Sequence, residues 1–310
     1  MSRGPQKNLP ASVRQRLLNL SRERGEDFNF LLTRYANERL LYRLANSPYR
    51  DQFVLKGAAL FQVWSESPHR PTRDVDLLGF GDSTAARIES VFRELCQLEV
   101  EPDGLRLLED SVRAEEVRDQ QEYGGIRVHL MADLDGAQIA LQVDIGFGDA
   151  VTPGIEEADF PTLLEFPAPH LRTYPRETVV AEKFEAMIRL GIVNTRMKDF
   201  YDVWQLARTL SFDGASLSRA IAATFERRAT PPPVAAPVAL SAEFVEERTN
   251  QWSAFLRRSG LSGSPDLSDV IDLLARFLLP PSSAAAAGEP FVLRWPPGGD
   301  WVRAASRMSS

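Results

Sequence analysis

A single cysteine, Cys96, and three histidines in 310 residues leave no material for a disulfide framework or a Cys/His zinc site, and they set thiol chemistry aside. No run approaches the roughly 18–20 consecutive apolar residues of a membrane span. The start of the chain, Met1-Ser2-Arg3-Gly4-Pro5, lacks the apolar core of a secretion signal. A cytoplasmic protein with no membrane partner is the expectation. Global disorder is excluded as well, since 44% hydrophobic and 25% charged residues is an ordinary globular balance.

A formal net charge of -7 argues by itself against a polyanionic partner, but the average hides a segregation along the chain. Residues 1–50 hold ten Lys/Arg against four Asp/Glu, whereas residues 74–165 hold six against twenty-two. Such blocks are either solvated helix faces or a basic rim beside an acidic centre, and the second arrangement suits a metal site that accepts a polyanion.

Apolar spacings of three and four over residues 11–46 predict two amphipathic helices broken at Gly25-Glu26-Asp27. Phe53-Val54-Leu55 reads as a strand that runs through Gly57 into a helix, and Ser65 to Pro71 as a polar loop. Asp74-Val75-Asp76-Leu77-Leu78 alternates with period two, as a strand does. Residues 83–98 read as a helix. Gly125 to Leu130 and Gln138 to Phe147 read as a hairpin around Asp133-Leu134-Asp135-Gly136. From Arg176 the pattern is helical: Glu177 to Leu190, Lys198 to Leu210, Leu217 to Arg228, Ala242 to Arg258 and Leu267 to Leu279. The run opening at Pro280-Pro281 has no period and reads as a tail, with an extended strand at Phe291 to Trp295.

Asp74 and Asp76, two apart on a strand, project to one face, and like charges that close repel unless a cation lies between them. Carboxylate oxygens bind divalent cations well. A solvated strand end is the alternative. Gly57 allows its backbone to approach a ligand, with helix N-terminal amides turned to an anion. Asp144 interrupts an otherwise apolar strand from Ile139 to Phe147. A third metal ligand would account for it, and so would a strand-end cap or a salt bridge.

In this order the motifs resemble the nucleotidyltransferase superfamily and, more narrowly, the AbiEii/AbiGii toxin family, which includes the MenT-like toxins. The matching segments are Leu55-Lys56-Gly57-Ala58-Ala59-Leu60, then Arg70-Pro71-Thr72-Arg73-Asp74-Val75-Asp76-Leu77, then Val143-Asp144-Ile145-Gly146-Phe147-Gly148-Asp149. They continue with Glu177-Thr178-Val179-Val180-Ala181-Glu182-Lys183-Phe184-Glu185-Ala186-Met187-Ile188-Arg189, closing at Lys198-Asp199-Phe200-Tyr201-Asp202-Val203. Many relatives have Gly-Gly or Gly-Ser where this chain has Gly57-Ala58, so phosphate contact falls on backbone amides and nearby cations.

The resemblance implies an α+β fold: a nucleotidyltransferase-type mixed sheet flanked by helices, with a C-terminal helical domain and a cleft between the two. Its divisions are an N-terminal helical segment at 1–50, the core at 51–174, the helical domain at 175–280 and a tail at 281–310. It implies a toxin of a toxin–antitoxin or abortive-infection system that transfers NMP from NTP to an acceptor, with Mg²⁺ or Mn²⁺ on Asp74, Asp76 and Asp144. Lys56, Gly57, Ala58 and Arg73 join Lys183 in binding the nucleotide, and Lys183 and Asp199 complete the catalytic set.

Read from spacing alone, Lys183 flanks the apolar stripe of its helix and could simply snorkel, Asp199 could cap a helix, and Asp202 could pair with Lys198. The acceptor is expected to be RNA, the tRNA 3′ end rather than protein, held by Arg14, Arg16, Arg22, Arg24, Arg34, Arg39 and Arg43. The cognate antitoxin need not bind stably. The rivals are a catalytically silent nucleotide-binding or RNA-binding protein and a nucleotidyltransferase that modifies protein.

Overall fold

The computed structural model describes residues 8–65, 72–117, 124–233, 235–261, 263 and 265–303, and the chain in it forms two units. One contains residues 8–65, Thr72–Gly148 and Glu156–Thr173; the other contains Asp149–Ile155 and the described chain from Tyr174 onward. Of the expected polar loop only Ser65 is described, so Arg70 and Pro71 of the second motif lie outside the described residues.

The first unit opens with α1 (Leu9–Arg24) and α2 (Phe28–Ala45). Gly25 closes α1 in the left-handed conformation, at φ 65°, and the Asp27 carboxylate caps α2 by accepting from the Phe30 N–H at 2.8 Å. There follow β1 (Phe53–Lys56), a 3₁₀ turn (Gly57–Leu60), α3 (Phe61–Trp64), β2 (Val75–Gly79), α4 (Ala85–Gln97), β3 (Arg106–Val117), β4 (Gly125–Leu134), β5 (Ala137–Phe147), β6 (Glu156–Asp159) and β7 (His170–Thr173). They build a seven-stranded sheet in the order β3-β4-β5-β2-β1-β7-β6. Its β2/β5 and β1/β7 pairs are parallel and the rest antiparallel, so the sheet is mixed, as expected.

Three of these strands, β3, β6 and β7, have no counterpart in the sequence reading. β3 carries Glu109, Asp110, Arg113, Glu115 and Glu116 at the sheet edge, and a register shift between Leu108 and Arg113 breaks its period. A charged edge strand discourages pairing with other chains, and it also hides the strand from hydrophobic pattern.

Helices α1, α2 and α4 pack against β3, β4 and β5. On β5 the buried residues are Ile139, Leu141, Val143 and Ile145, while Gln142 and Asp144 alternate with them and stay half exposed. The strand is therefore not apolar on both sides as its sequence suggested: one face of this hairpin is open, and the Asp144 carboxylate lies on that face.

α2 corrects a second expectation. Arg39 and Arg43 are buried, and both grip Asp103: Arg39 Nε donates to Oδ2 at 3.0 Å and Arg43 Nη1 to Oδ2 at 2.7 Å. Arg34 points to Glu26 and Gln62. Burial pushes the neighbouring Glu38 carboxyl up to about 7, against the pull of the Leu163 N–H and Arg39. Arg39 and Arg43 hold the core together and cannot face RNA; Arg14, Arg22 and Arg24 are exposed.

The second unit contains α5 (Arg176–Leu190), α6 (Met197–Thr209), β8 (Phe212–Asp213), α7 (Gly214–Arg227), α8 (Ala242–Arg258), α9 (Leu267–Ala287), β9 (Leu293–Trp295) and β10 (Val302–Arg303). α9 does not stop at Pro280-Pro281 as expected. Pro281 cannot donate to the Phe277 carbonyl, and the Trp301 indole N–H donates there instead, at 3.0 Å. Ala284 to Ala287 favour helix, and Gly288 ends it at φ 67°. By length and composition α9 is also apolar enough to cross a membrane. Here 44% of its most apolar window is buried in the structure, and it packs on α6, α7 and α8 as a core helix does.

Candidate active site

The pairing of β1, β2, β5, β4 and β3 lines up one charged row. Lys56 faces Asp76, Asp76 faces Asp144, Asp144 faces Arg127, and Arg127 faces Glu115. In-register neighbours share a face of the sheet, so these five side chains leave it on the same side. Asp74 lies two residues before Asp76, just ahead of β2, and is exposed, as is Arg73. The Asn37 side-chain amide, from α2, donates to the Arg73 carbonyl at 2.7 Å and ties the segment that presents Asp74 to the helix layer.

Gly57 follows Lys56 with φ +70°, a conformation that favours glycine. A Cβ there would stand 2.7 Å from Asp76 Cγ and 2.8 Å from Asp76 Cβ, and closer still to Oδ2. The absent side chain is thus the space in which the Asp76 carboxylate sits. The helix expected after Gly57 is shorter than its role suggested: one 3₁₀ turn, containing Ala58, followed by the four residues of α3. So short a segment adds little dipole, and any anion there relies on local N–H groups. Gly57→Ala is expected to displace Asp76, lowering transfer roughly a hundredfold and stability by about 1–2 kcal/mol. Labelled-nucleotide transfer and thermal melting measure the two effects, and native turnover in this variant would show that Gly57 does not shape the site.

Asp144 is engaged on both oxygens. Arg127 Nε donates to Oδ1 at 2.7 Å, Arg127 Nη2 to Oδ2 at 3.1 Å, and Gln142 Nε2 to Oδ2 at 3.0 Å. The Asp144 hydrogen bond holds the Arg127 guanidinium above its ordinary pKa, with the fields of Asp144, Asp74 and Glu115 adding to it against partial desolvation. Arg127 and Gln142 were not among the expected site residues. A signal for Arg127 was present: the two-residue Asp135-Gly136 loop pairs Leu134 with Ala137, and counting back along both strands brings Arg127 opposite Asp144.

Hard carboxylate oxygens on neighbouring strands suit Mg²⁺ or Mn²⁺, and the cradle at Gly57 leaves Asp76 room. Among the described residues no three His, Cys, Asp or Glu side chains already form a metal cage. Both Asp144 oxygens are turned to Arg127. Asp74 and Asp76 have the donor chemistry for such a cation, and Asp144 would join them once its pair with Arg127 opens.

In the second unit Lys183, on α5, lies between two carboxylates of α6: its Nζ is 2.6 Å from Asp199 Oδ1 and 2.9 Å from Asp202 Oδ2. It is held by ion pairs rather than snorkelling to water. Asp199 does not cap α6, whose N-cap is Arg196; its other oxygen lies 3.0 Å from Arg196 Nε. Asp202 is fully buried and turned to Lys183, whereas Lys198 is exposed. The helix spacing that suggested a Lys198–Asp202 pair ignored the neighbouring helix.

A family model described as nucleotidyl transferase AbiEii toxin, type IV TA system, matches residues 39–276. No curated protein matches the chain. Among solved structures, JHP933 from Helicobacter pylori is 15% identical, with 84% of this chain and 92% of that chain covered at a TM-score of 0.45. A further solved structure, described provisionally as a nucleotidyltransferase from H. pylori, is 16% identical, with 83% of this chain and 95% of that chain covered at a TM-score of 0.43.

Proposed function

The chain belongs to the AbiEii nucleotidyl transferase toxin family of type IV toxin–antitoxin systems, and on that premise we propose that it moves NMP from an NTP to the 3′ end of an RNA, tRNA rather than protein. Membership brings an NTP substrate and an antitoxin partner. That the antitoxin acts without a stable complex, and that the toxin works in the cytoplasm where its acceptor is found, are parts of the same proposal.

The observation that carries the chemistry is the register of Asp76 with Asp144, with Gly57 packed against Asp76. Asp74 and Asp76 would hold the divalent cation, with Asp144 joining when its pair with Arg127 opens. Such a cation, when bound, orients a triphosphate and lowers the pKa of an attacking hydroxyl. Lys56 and Arg73, with the amides after Gly57, would bind phosphate oxygens. Lys183, held in place by Asp199 and Asp202, would offset charge on the leaving pyrophosphate.

RNA is favoured over protein because an acidic centre repels a polyanion everywhere except at its metal, and exposed arginines of α1 supply the compensating charge. The experiment is incubation of the purified protein with each labelled NTP, Mg²⁺ and total bacterial RNA or protein. Label is expected on RNA, and charge reversal at Arg14, Arg22 and Arg24 is expected to reduce it at least roughly tenfold at low salt, with NTP binding unchanged. Label on protein alone, or transfer indifferent to the reversals, would refute this acceptor and surface.

A further inference from the structure

Arg127 brings a permanent positive charge into an acidic row, because a guanidinium does not lose its proton in proteins. It is only partly covered: the side chains of Arg127 and Asp144 are 34% and 31% exposed. Its Nε and Nη2 take one oxygen each of Asp144, and Gln142 adds a third hydrogen bond to the same carboxylate. A divalent cation binding Asp144 directly meets a carboxylate with three of its roughly four lone-pair sites taken and a fixed guanidinium charge beside it, so inner-sphere coordination there competes with a charge-assisted pair.

We infer that Arg127 is a resident counter-ion that excludes metal from Asp144 in the free protein, where a first divalent cation would rely on Asp74 and Asp76. A second is taken only when Arg127 lets Asp144 go. The natural release is a phosphate group of the incoming nucleotide, since the planar fork that matches a carboxylate matches a phosphate as well. Nucleotide binding and completion of the acidic triad are then one event, and a cation does not fill the triad in the absence of substrate. This inference rests on the reading of the acidic face as the transfer site.

Mn²⁺ binding to the full chain, followed by electron paramagnetic resonance of the free ion without nucleotide, tests it independently of turnover. Arg127→Gln keeps a hydrogen-bonding amide but removes the charge, and is expected to add a second Mn²⁺ or tighten binding roughly tenfold. Adding Asp144→Asn to Arg127→Gln should abolish that gain. Arg127→Lys should fall between, since a point charge cannot engage both oxygens as the fork does; if Arg127→Gln fails to melt cooperatively, Arg127→Lys carries the test alone. An Mn²⁺ isotherm for the folded variants superimposing on that of the native protein, or a gain that survives Asp144→Asn, overturns the inference. Loss of the first Mn²⁺ in Asp76→Asn, with no gain in Arg127→Gln, overturns it while leaving the site reading intact; undiminished Mn²⁺ binding in Asp76→Asn overturns the site reading itself.

Discussion

Asp76→Asn is expected to reduce nucleotidyl transfer at least roughly a thousandfold and to abolish growth arrest, while the protein melts close to the native temperature. The amide has the shape of the carboxylate and fits the space beside Gly57, so packing survives. What it loses is the charge that holds a divalent cation, and a neutral oxygen is a much weaker ligand than a carboxylate. Asp76 also stands in the charged row between Lys56 and Asp144, of which one is a cation and the other is paired with Arg127, so neither neighbour takes its place. Transfer of labelled nucleotide, toxicity on induction and thermal melting together provide the check. Native turnover in a folded Asp76→Asn protein would remove the metal-assisted mechanism, and a binding role for the face would take its place.

Lys183→Ala is expected to lower kcat/KM by roughly two to four orders of magnitude, the range for removing a charge that stabilises a developing anion. The variant will also be less stable, for a reason that the ion pairs make specific. The side chains of Asp199 and Asp202 are 3% and 0% exposed, and removing the ammonium takes a cation from beside two buried carboxylates, while Arg196 still meets Asp199. Breaking a buried pair costs about 3–5 kcal/mol, so a drop in melting temperature by itself decides nothing. Lys183→Ala combined with Asp202→Asn removes one of the two buried charges and should recover much of the stability without recovering turnover. Lys183→Arg should fold and remain poorly active, because a planar fork places its charge differently from a compact ammonium. If the double variant turned over like the native enzyme, Lys183 would be a core ion-pair residue and nothing more.

Much of the site could be read along the chain because its parts obey local rules. Gly25 and Asp27 mark a helix stop and start by their own chemistry, the alternation after Asp74 marks a strand with Asp76 opposite its apolar side, and a glycine after an apolar strand marks a close approach. What no local rule contained was the partner of each charge. Arg39 and Arg43 look like the solvated face of a basic helix until Asp103, some sixty residues later, is brought into the core beside them. Pro280-Pro281 looks like a helix end until Trp301 returns to fill the vacant carbonyl.

The sequence by itself therefore determined the inventory and its periodicities: which helices and central strands form, and that the motifs stand in the order of a nucleotidyl transferase toxin. Only the tertiary structure decided which of those charges are buried, which are exposed and which neutralise one another. Burial and pairing are properties of neighbours in space, set by strand register and helix packing. The Arg127–Asp144 pair and the Lys183–Asp199–Asp202 cluster are each joined by residues that the chain keeps well apart.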